Sequence, residues 1–334
     1  MKTRICALLL AACLLVASSA QPRSSRASDH YPVTKVRPRV TRAEYDRWKT
    51  ELSNWGRWGT NDQSGALNLV TDVKRKQAAA LVHTGVSVSL AVDANEQQAE
   101  DNPSPYQRVM MQAGRGGSMD QFTVAFHGMA HTHIDALSHR VLDDKIYNGY
   151  SYDEVTMQEG AKKNSIYSAH NGIVTRGILI DIPALKGVPY LDPGTRIFGD
   201  DLEAWEKRAG VKVAAGDAVF IRTGRWARRA ALGPQTQTAG LDPSVLPWLK
   251  RRDVSVLGSE LALDASPPAS ADLPRLAVHD FALVILGIHV IDDCDLSAVS
   301  QVAAQQKRWE FLVTVAPIPF RRGTGSPTNP IAVF

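Results

Sequence analysis

The chain has 334 residues, of which 44% are hydrophobic and 22% are charged, as in ordinary soluble globular proteins. This composition argues against a disordered, collagen-like or coiled-coil chain. Lysine and arginine number 38 against 34 aspartate and glutamate, so the formal charge is +4, with no basic run. A surplus this small does not predict nucleic-acid binding.

The first 20 residues have the pattern of a cleaved signal peptide. Lys2 and Arg4 precede the apolar run 5–17, and small residues follow at 18–20. The apolar run is shorter than the ~20 residues that cross a bilayer. We therefore predict export to the periplasm or the medium, with no membrane span elsewhere; lipidation at Cys13 is the alternative. Residues 21–40 are polar and proline-containing and are predicted to form a flexible arm.

The remainder, 41–334, shows no linker and is predicted to be a single catalytic domain. Tyr45, Trp48 and Leu52 recur at helical spacing and predict a helix over 41–52. A loop rich in Gly, Asn and Trp is expected at 54–70, and a helix follows near 71–83. Alternation predicts a strand at 86–92, and the polar stretch 95–120 is predicted to be a long loop. Short apolar runs predict strands at 123–126, 177–182, 218–222, 254–258 and 281–291, with helices at 199–209 and 241–250. Alternating strands and helices indicate a mixed α/β architecture.

Four histidines and one aspartate crowd into the window HGMAHTHIDALSH at 127–139. They are His127, His131, His133, Asp135 and His139, all at odd positions, which share one face of a strand. If the chain turns helical after Asp135, then Asp135 and His139 again share a face at i, i+4. Either geometry gathers imidazoles around a carboxylate.

Imidazole and carboxylate donors together suit Zn²⁺ or Mn²⁺. No cysteine accompanies them, which argues against a closed structural zinc site and favours one that leaves a position open for water. The alternative is a metal-free acid–base site built on one or two of these histidines.

The run THIDALSH resembles the end of the His-x-Gly-Thr-His-x-Asp-x-Pro-x-His motif of a cyclase family that includes bacterial kynurenine formamidase and isatin hydrolase. Four further blocks resemble family signatures and follow in the expected order. These are NWGRWGTNDQSGALNLV at 54–70, FIRTGRW at 220–226, LGSELALDA at 257–265 and RRGTGSPTNPIAV at 321–333.

The chain departs from this motif at three positions. Met129 stands where the first histidine falls, His131 replaces the glycine and Leu137 replaces the proline. A thioether is a poor ligand for a hard metal. We therefore expect His131, or as the lesser alternative His127, to supply the lost imidazole beside His133 and Asp135.

The resemblance implies two further metal ligands in the C-terminal half, a histidine and a glutamate. His279 matches the first, and Asp292 stands where the glutamate is expected, with Asp293 as the fallback. The shorter aspartate leaves open whether a second metal binds.

The resemblance also implies a fold, a mixed sheet or barrel-like core with flanking helices of the swivelling β/β/α type, and a homo-oligomer, a dimer or tetramer. It implies hydrolysis of a carbonyl attached to nitrogen in a small, aromatic substrate. His139 is the predicted general acid–base, and Trp55 and Trp58 are the candidates for stacking the substrate.

Three other functions remain open. The same scaffold could carry a metal-dependent lactonase or esterase. It could also be an exported protein that binds a small acid through a metal without turnover. A serine hydrolase using Ser259 is disfavoured because the Gly-x-Ser-x-Gly elbow is absent.

Overall fold

A nine-stranded mixed sheet organises the described part of the chain. The computed structural model describes residue 37 and residues 39–268 and 270–334. The predicted signal peptide, 1–20, and residues 21–36 and 38 of the predicted arm lie outside the described residues. At the end of that arm, Arg37 forms an ion pair with Asp201 at 2.8 Å.

The described residues form fifteen strands, nine of them in the main sheet and six in three small two-stranded sheets. In chain order the strands are β1 (Ser87–Ser89), β2 (Gln107–Gln112), β3 (Met119–Thr123), β4 (His133–Asp135), β5 (Val155–Thr156), β6 (Gly160–Ala161), β7 (Ile173–Asp181), β8 (Arg196–Ile197), β9 (Ala218–Arg222), β10 (Gly240–Leu241), β11 (Val256–Ser259), β12 (His289–Asp292), β13 (Glu310–Val315), β14 (Gly325–Pro327) and β15 (Ile331–Val333).

Eight α-helices flank the strands in the same described part. They are α1 (Arg42–Glu51), α2 (Asp72–Ala79), α3 (Ile182–Lys186), α4 (Gly199–Ala209), α5 (Arg225–Leu232), α6 (Leu246–Arg252), α7 (Ala277–Val284) and α8 (Ser297–Gln306). Among the described residues, none of the helices has both the length and the hydropathy that a bilayer span requires.

The main sheet runs in the order β1-β15-β13-β7-β9-β11-β12-β4-β14. Its centre, from β7 to β12, is parallel, and the connections between these strands pass through helices. Both flanks are antiparallel. The mixed α/β architecture that the sequence predicted is therefore confirmed.

The pairing of β4 with β12 separates a dry face from a polar one. Ile134 lies opposite Ile291, and both belong to the buried apolar core. His133 lies opposite Asp292, and Asp135 is on the same face, because side chains alternate along a strand. The apolar face anchors the two strands in the core, so the polar side chains on the other face are held in fixed register.

Several predicted elements match the structure closely. Helix α4 and strand β9 have the predicted bounds, and α1 begins after Thr41, whose hydroxyl caps it in a capping box with Glu44. The predicted strand 281–291 is wrong over residues 281–288. Residues 281–284 belong to α7, and the strand starts only at His289. A helix buried on all sides has no polar stripe, so its sequence resembles a buried strand.

The predicted long loop at 95–120 is also wrong. It contains β2 and the start of β3, which pair antiparallel as a hairpin. Every residue of both strands is exposed, so the period-2 pattern of a half-buried strand is missing from the sequence.

Candidate metal centre

Asp135 lies at the meeting point of two groups of side chains that could each hold a metal ion. One group is His127, Asp135 and His139, and the other is His133, Asp135 and Asp292. In each group, one potential ligand atom per residue lies within 4.8 Å of the others. Asp135 is fully buried, and its position on β4 is set by the pairing with β12.

The imidazole of His133 has a defined orientation. Its Nδ1 lies 2.7 Å from the carbonyl oxygen of His131. A carbonyl only accepts, so Nδ1 donates this bond and Nε2 keeps its lone pair. Nε2 is the nitrogen that faces Asp135, with 3.5 Å between it and Oδ1. A backbone acceptor behind the ring is the usual way in which a metal-binding histidine is oriented.

His127 lies beside Asp135, two residues before Met129, the position at which the resembled motif has a histidine. Its Nδ1 lies 3.0 Å from Asp135 Oδ1, and its Nε2 lies 3.2 Å from the hydroxyl of Thr324. The ring rests over Gly325 on β14, where a Cβ would come within 2.8 Å of His127 Cε1. Glycine at this position therefore leaves the space that the imidazole fills.

His279 and Asp292 complete the centre from the other side. His279 is on the first turn of α7, where the carboxylate of Asp264 accepts the backbone N–H groups of Val278 and His279 at 2.8 and 3.0 Å. The His279 Nε2 lies 3.0 Å from Asp135 Oδ2, and its Nδ1 lies 3.7 Å from Asp292 Oδ2. The helix start thus delivers this imidazole to the polar face of the sheet.

Three buried atoms in this cluster that could bind a metal make no hydrogen bond: Asp135 Oδ1, Asp292 Oδ1 and His279 Nδ1. His127 Nδ1 is close to Asp135 Oδ1, but at an angle that does not form a hydrogen bond. Buried polar atoms are rarely left without a partner. His279 Nε2 and Asp135 Oδ2 form a hydrogen bond, but these three atoms converge without a partner and fit a divalent ion such as Zn²⁺ or Mn²⁺.

The ionisation of these groups also fits a cation. Burial by itself would raise the pKa of Asp135, but the positive charge that His139 or His133 carries when protonated, together with the hydrogen bond to His279, holds it well below its usual range. Burial lowers the pKa of His133, and it lowers the pKa of His139 to about 3, so both rings are neutral at pH 7. Burial opposes the charged form of His279, but Asp292 and Asp135 raise its pKa to about 9. Binding of a divalent ion at His279 would therefore release a proton.

His139 and His127 are the two histidines of the cluster that solvent reaches. The ring of His139 stacks on that of His127, with centroids 4.1 Å apart, and its Nε2 lies 3.8 Å from Asp135 Oδ2. The side chains of His139 and His127 are 22% and 29% exposed, whereas that of His133 is 2% exposed. The structure therefore brings His139 to the cluster at a partly exposed position on the wall of the adjoining cavity.

The cluster forms part of the wall of a cavity of about 360 Å³. That volume suits a small molecule rather than a polymer. Besides the cluster, the cavity is lined by Arg140 and Arg275 and by small and aliphatic residues. Among the described residues, no phenylalanine, tyrosine or tryptophan lines it.

Comparison with known proteins places this geometry in a family. The family model described as "Putative cyclase" matches residues 85–265, which is more than half of the chain. The chain belongs to the cyclase family. No curated protein matches the sequence.

Solved structures agree with this membership. A crystal structure of a novel cyclase is 28% identical and covers 86% of this chain and 99% of its own, with a TM-score of 0.77. An isatin hydrolase bound to the product analogue thioisatinate is 18% identical and covers 78% and 96%, with a TM-score of 0.54. Isatin hydrolase A from Ralstonia solanacearum is 19% identical and covers 78% and 97%, with a TM-score of 0.53. The cyclase-like fold predicted from the sequence is confirmed.

Against the family motif, the structure corrects the expected role of His131. Its ring turns away from the cluster, packs edge-on against Tyr106 and places Nε2 2.9 Å from the carbonyl oxygen of Ser104. His131 contributes its backbone carbonyl, which orients the His133 ring, and not its own ring. The imidazole that this cyclase-family member places at the cluster is that of His127, the lesser alternative.

The two candidate acids at the end of β12 have separate roles. Asp292 points into the cluster, whereas Asp293 Oδ1 accepts a hydrogen bond from the buried guanidinium of Arg225 at 2.9 Å. Arg225 also donates to the carbonyl oxygens of Glu260 and Met129. This buried arginine therefore ties the segment before His131 to the end of β12.

Neither tryptophan proposed for stacking the substrate lines the cavity. The indole N–H of Trp55 donates to the carbonyl of Val284 at the end of α7, and its ring covers Gly149. Trp58 lies under the guanidinium of Arg57, 4.7 Å from the ring centroid. Both rings have contacts away from the cavity, so the stacking role is not supported in this chain.

Proposed function

We propose that the protein is a metal-dependent hydrolase that cleaves an amide or lactam C–N bond of a small substrate. Membership of the cyclase family and a fold shared with isatin hydrolase support the general class, a hydrolase, without specifying its substrate. The observation that carries the proposal is the convergence on Asp135 of four imidazoles whose donor atoms face one another at the wall of a cavity.

The residues divide into ligands and a proton carrier. His127, His133, Asp135, His279 and Asp292 would hold the ion. A bound divalent ion of this kind lowers the pKa of water towards ~7 and polarises a carbonyl oxygen.

The proposed role of His139 is proton transfer. Its neutral ring faces the cavity, so Nε2 can accept a proton from the attacking water and deliver it to the leaving nitrogen. His139 belongs to a potential metal group as well, so the experiment must separate the two roles.

The test combines metal analysis with a substrate screen. The protein loaded with Mn²⁺ or Zn²⁺ should hydrolyse at least one member of a panel of amides, lactams, lactones and esters, and a chelator should abolish the activity. His139→Ala should keep the metal and slow turnover by ~10²–10⁴-fold. The matched control is His83→Ala, an exposed histidine outside the site, which should change neither.

Each departure from these results has a defined meaning. Loss of metal in His139→Ala would make His139 a ligand and remove the assigned proton carrier. Activity on lactones and esters but on no amide or lactam would replace the proposal by the esterase alternative. Inactivity across the panel with metal bound would favour a binding protein.

A further inference from the structure

Two arginines share the cavity with the metal cluster, and they differ in their partners. Arg140 follows His139 and directs its Nε at Asp280 Oδ1, 2.6 Å away. Arg275 precedes α7 and is exposed at the cavity wall. No carboxylate of the described residues forms an ion pair with Arg275.

The other charged groups at the cavity wall have partners of their own. Asp135 and Asp292 are the carboxylates that face the metal position, and two carboxylates offset a divalent ion. Asp280 pairs with Arg140. Asp264 uses both oxygens to accept backbone N–H groups of α7 and forms no ion pair with Arg275. Arg275 is therefore the guanidinium of this wall that no carboxylate of the described residues pairs with.

The start of α7 fixes where that charge lies relative to the chemistry. His279, which points at Asp135, and Asp280, which holds Arg140, are on the first turn of the same helix that Arg275 precedes. The backbone that carries Arg275 thus leads directly into the helix turn that carries the metal-facing His279. A planar guanidinium is suited to a carboxylate because it can offer two parallel N–H donors.

We propose that Arg275 is a specificity-determining residue that binds a carboxylate on the substrate, with Arg140 adding positive charge to the same wall. The substrate class is then an acylated amino acid or amino-aromatic acid, that is, an amide or lactam that also carries a free carboxylate. This inference rests on the proposed hydrolase function. It adds that a free carboxylate distinguishes the substrate from neutral amides.

The test uses two compounds that differ only in the carboxylate, N-formylanthranilate and formanilide. The metal-loaded wild-type protein should prefer N-formylanthranilate by about tenfold or more in kcat/KM, the gain typical of a hydrogen bond to a charged group. Arg275→Ala should remove most of that preference through a higher KM for the anion, whereas kcat/KM for formanilide should fall by much less. Arg275→Lys should keep part of it. High salt should reduce the preference, because the guanidinium is exposed.

The matched control is Arg115→Ala, which removes an exposed charge between β2 and β3 and should leave the preference intact. An equal loss for both compounds in Arg275→Ala, or an unchanged preference, would overturn the proposal.

If neither compound is hydrolysed, equilibrium binding of the two compounds to the metal-loaded protein still tests whether Arg275 recognises the carboxylate. Tighter binding of N-formylanthranilate that is lost in Arg275→Ala supports carboxylate recognition even where the hydrolase proposal fails. Equal binding of both compounds by the wild type refutes it.

Discussion

Replacement of His127 by alanine should weaken metal binding, and replacement of His131 should not. His127 Nδ1 lies 3.0 Å from Asp135 Oδ1 inside a potential metal group, whereas His131 directs Nε2 to the carbonyl of Ser104. The two histidines lie four residues apart in the sequence, and only their tertiary placement separates their roles.

The expected size of the effect follows from the position of each ring. Loss of a group that merely orients a ligand typically costs 10–100-fold in metal affinity. His127 faces the metal position itself, so its loss should cost at least about 100-fold, or ~2.7 kcal/mol of binding free energy. His131→Ala should change the affinity by less than about threefold. It should lower thermal stability instead, because its ring is buried against Tyr106.

The assay is competition with a chromogenic chelator for Zn²⁺ and Mn²⁺, on protein stripped of metal and checked for folding by circular dichroism. A rescue variant provides a second test of the His127 assignment. Met129 lines the same cavity, so Met129→His in the His127→Ala background should recover part of the lost affinity by restoring the family motif. Unchanged affinity in His127→Ala together with loss in His131→Ala would refute the assignment.

Three further changes test other parts of the structure. Gly325→Ala should reduce metal affinity by tenfold or more, because its Cβ would press on the His127 ring, whereas Gly128→Ala meets no atom within 4 Å and should not. Burial lowers the pKa of His289 to about 4, below its unfolded value of ~6.5, so the free energy of unfolding should fall by up to ~3 kcal/mol as the pH drops between those values. Acid titration of unfolding in urea should show a smaller fall for His289→Leu. The predicted oligomer would bury the exposed β2–β3 hairpin, so Phe122→Asp should shift the mass measured by light scattering towards the monomer; a wild-type monomer would contradict this.

Much of the site could be predicted from the sequence because its residues are close together in the chain. The odd-numbered positions of His133 and Asp135 place them on one face of a strand by backbone geometry alone. The likeness to family blocks indicated His279 and Asp292, and the structure brings both to Asp135. The types of β9 and α4 were predictable for the same reason, because the sequence pattern of each lies within the element itself and does not depend on a distant partner.

Only the tertiary structure decided between His127 and His131. Local spacing favours His131, which keeps the alternation with His133 and Asp135. The decision depends on β14, nearly 200 residues later, where Gly325 leaves room for the His127 ring and Thr324 contacts its Nε2. Pairing of β14 with β4 is a long-range contact, and no periodicity within residues 127–139 encodes it.

The tryptophans show the same limit. Trp55 and Trp58 lie in a block that resembles the family's, but stacking on a substrate requires that a ring reach the cavity. The hydrogen bond from Trp55 to Val284 fixes its ring elsewhere. The sequence by itself determined which side chains could bind a metal, through donor chemistry and strand alternation. Which of them meet, and which wall carries the unpaired charge of Arg275, depended on packing between distant elements, because direction and distance across a fold are set by all its contacts together.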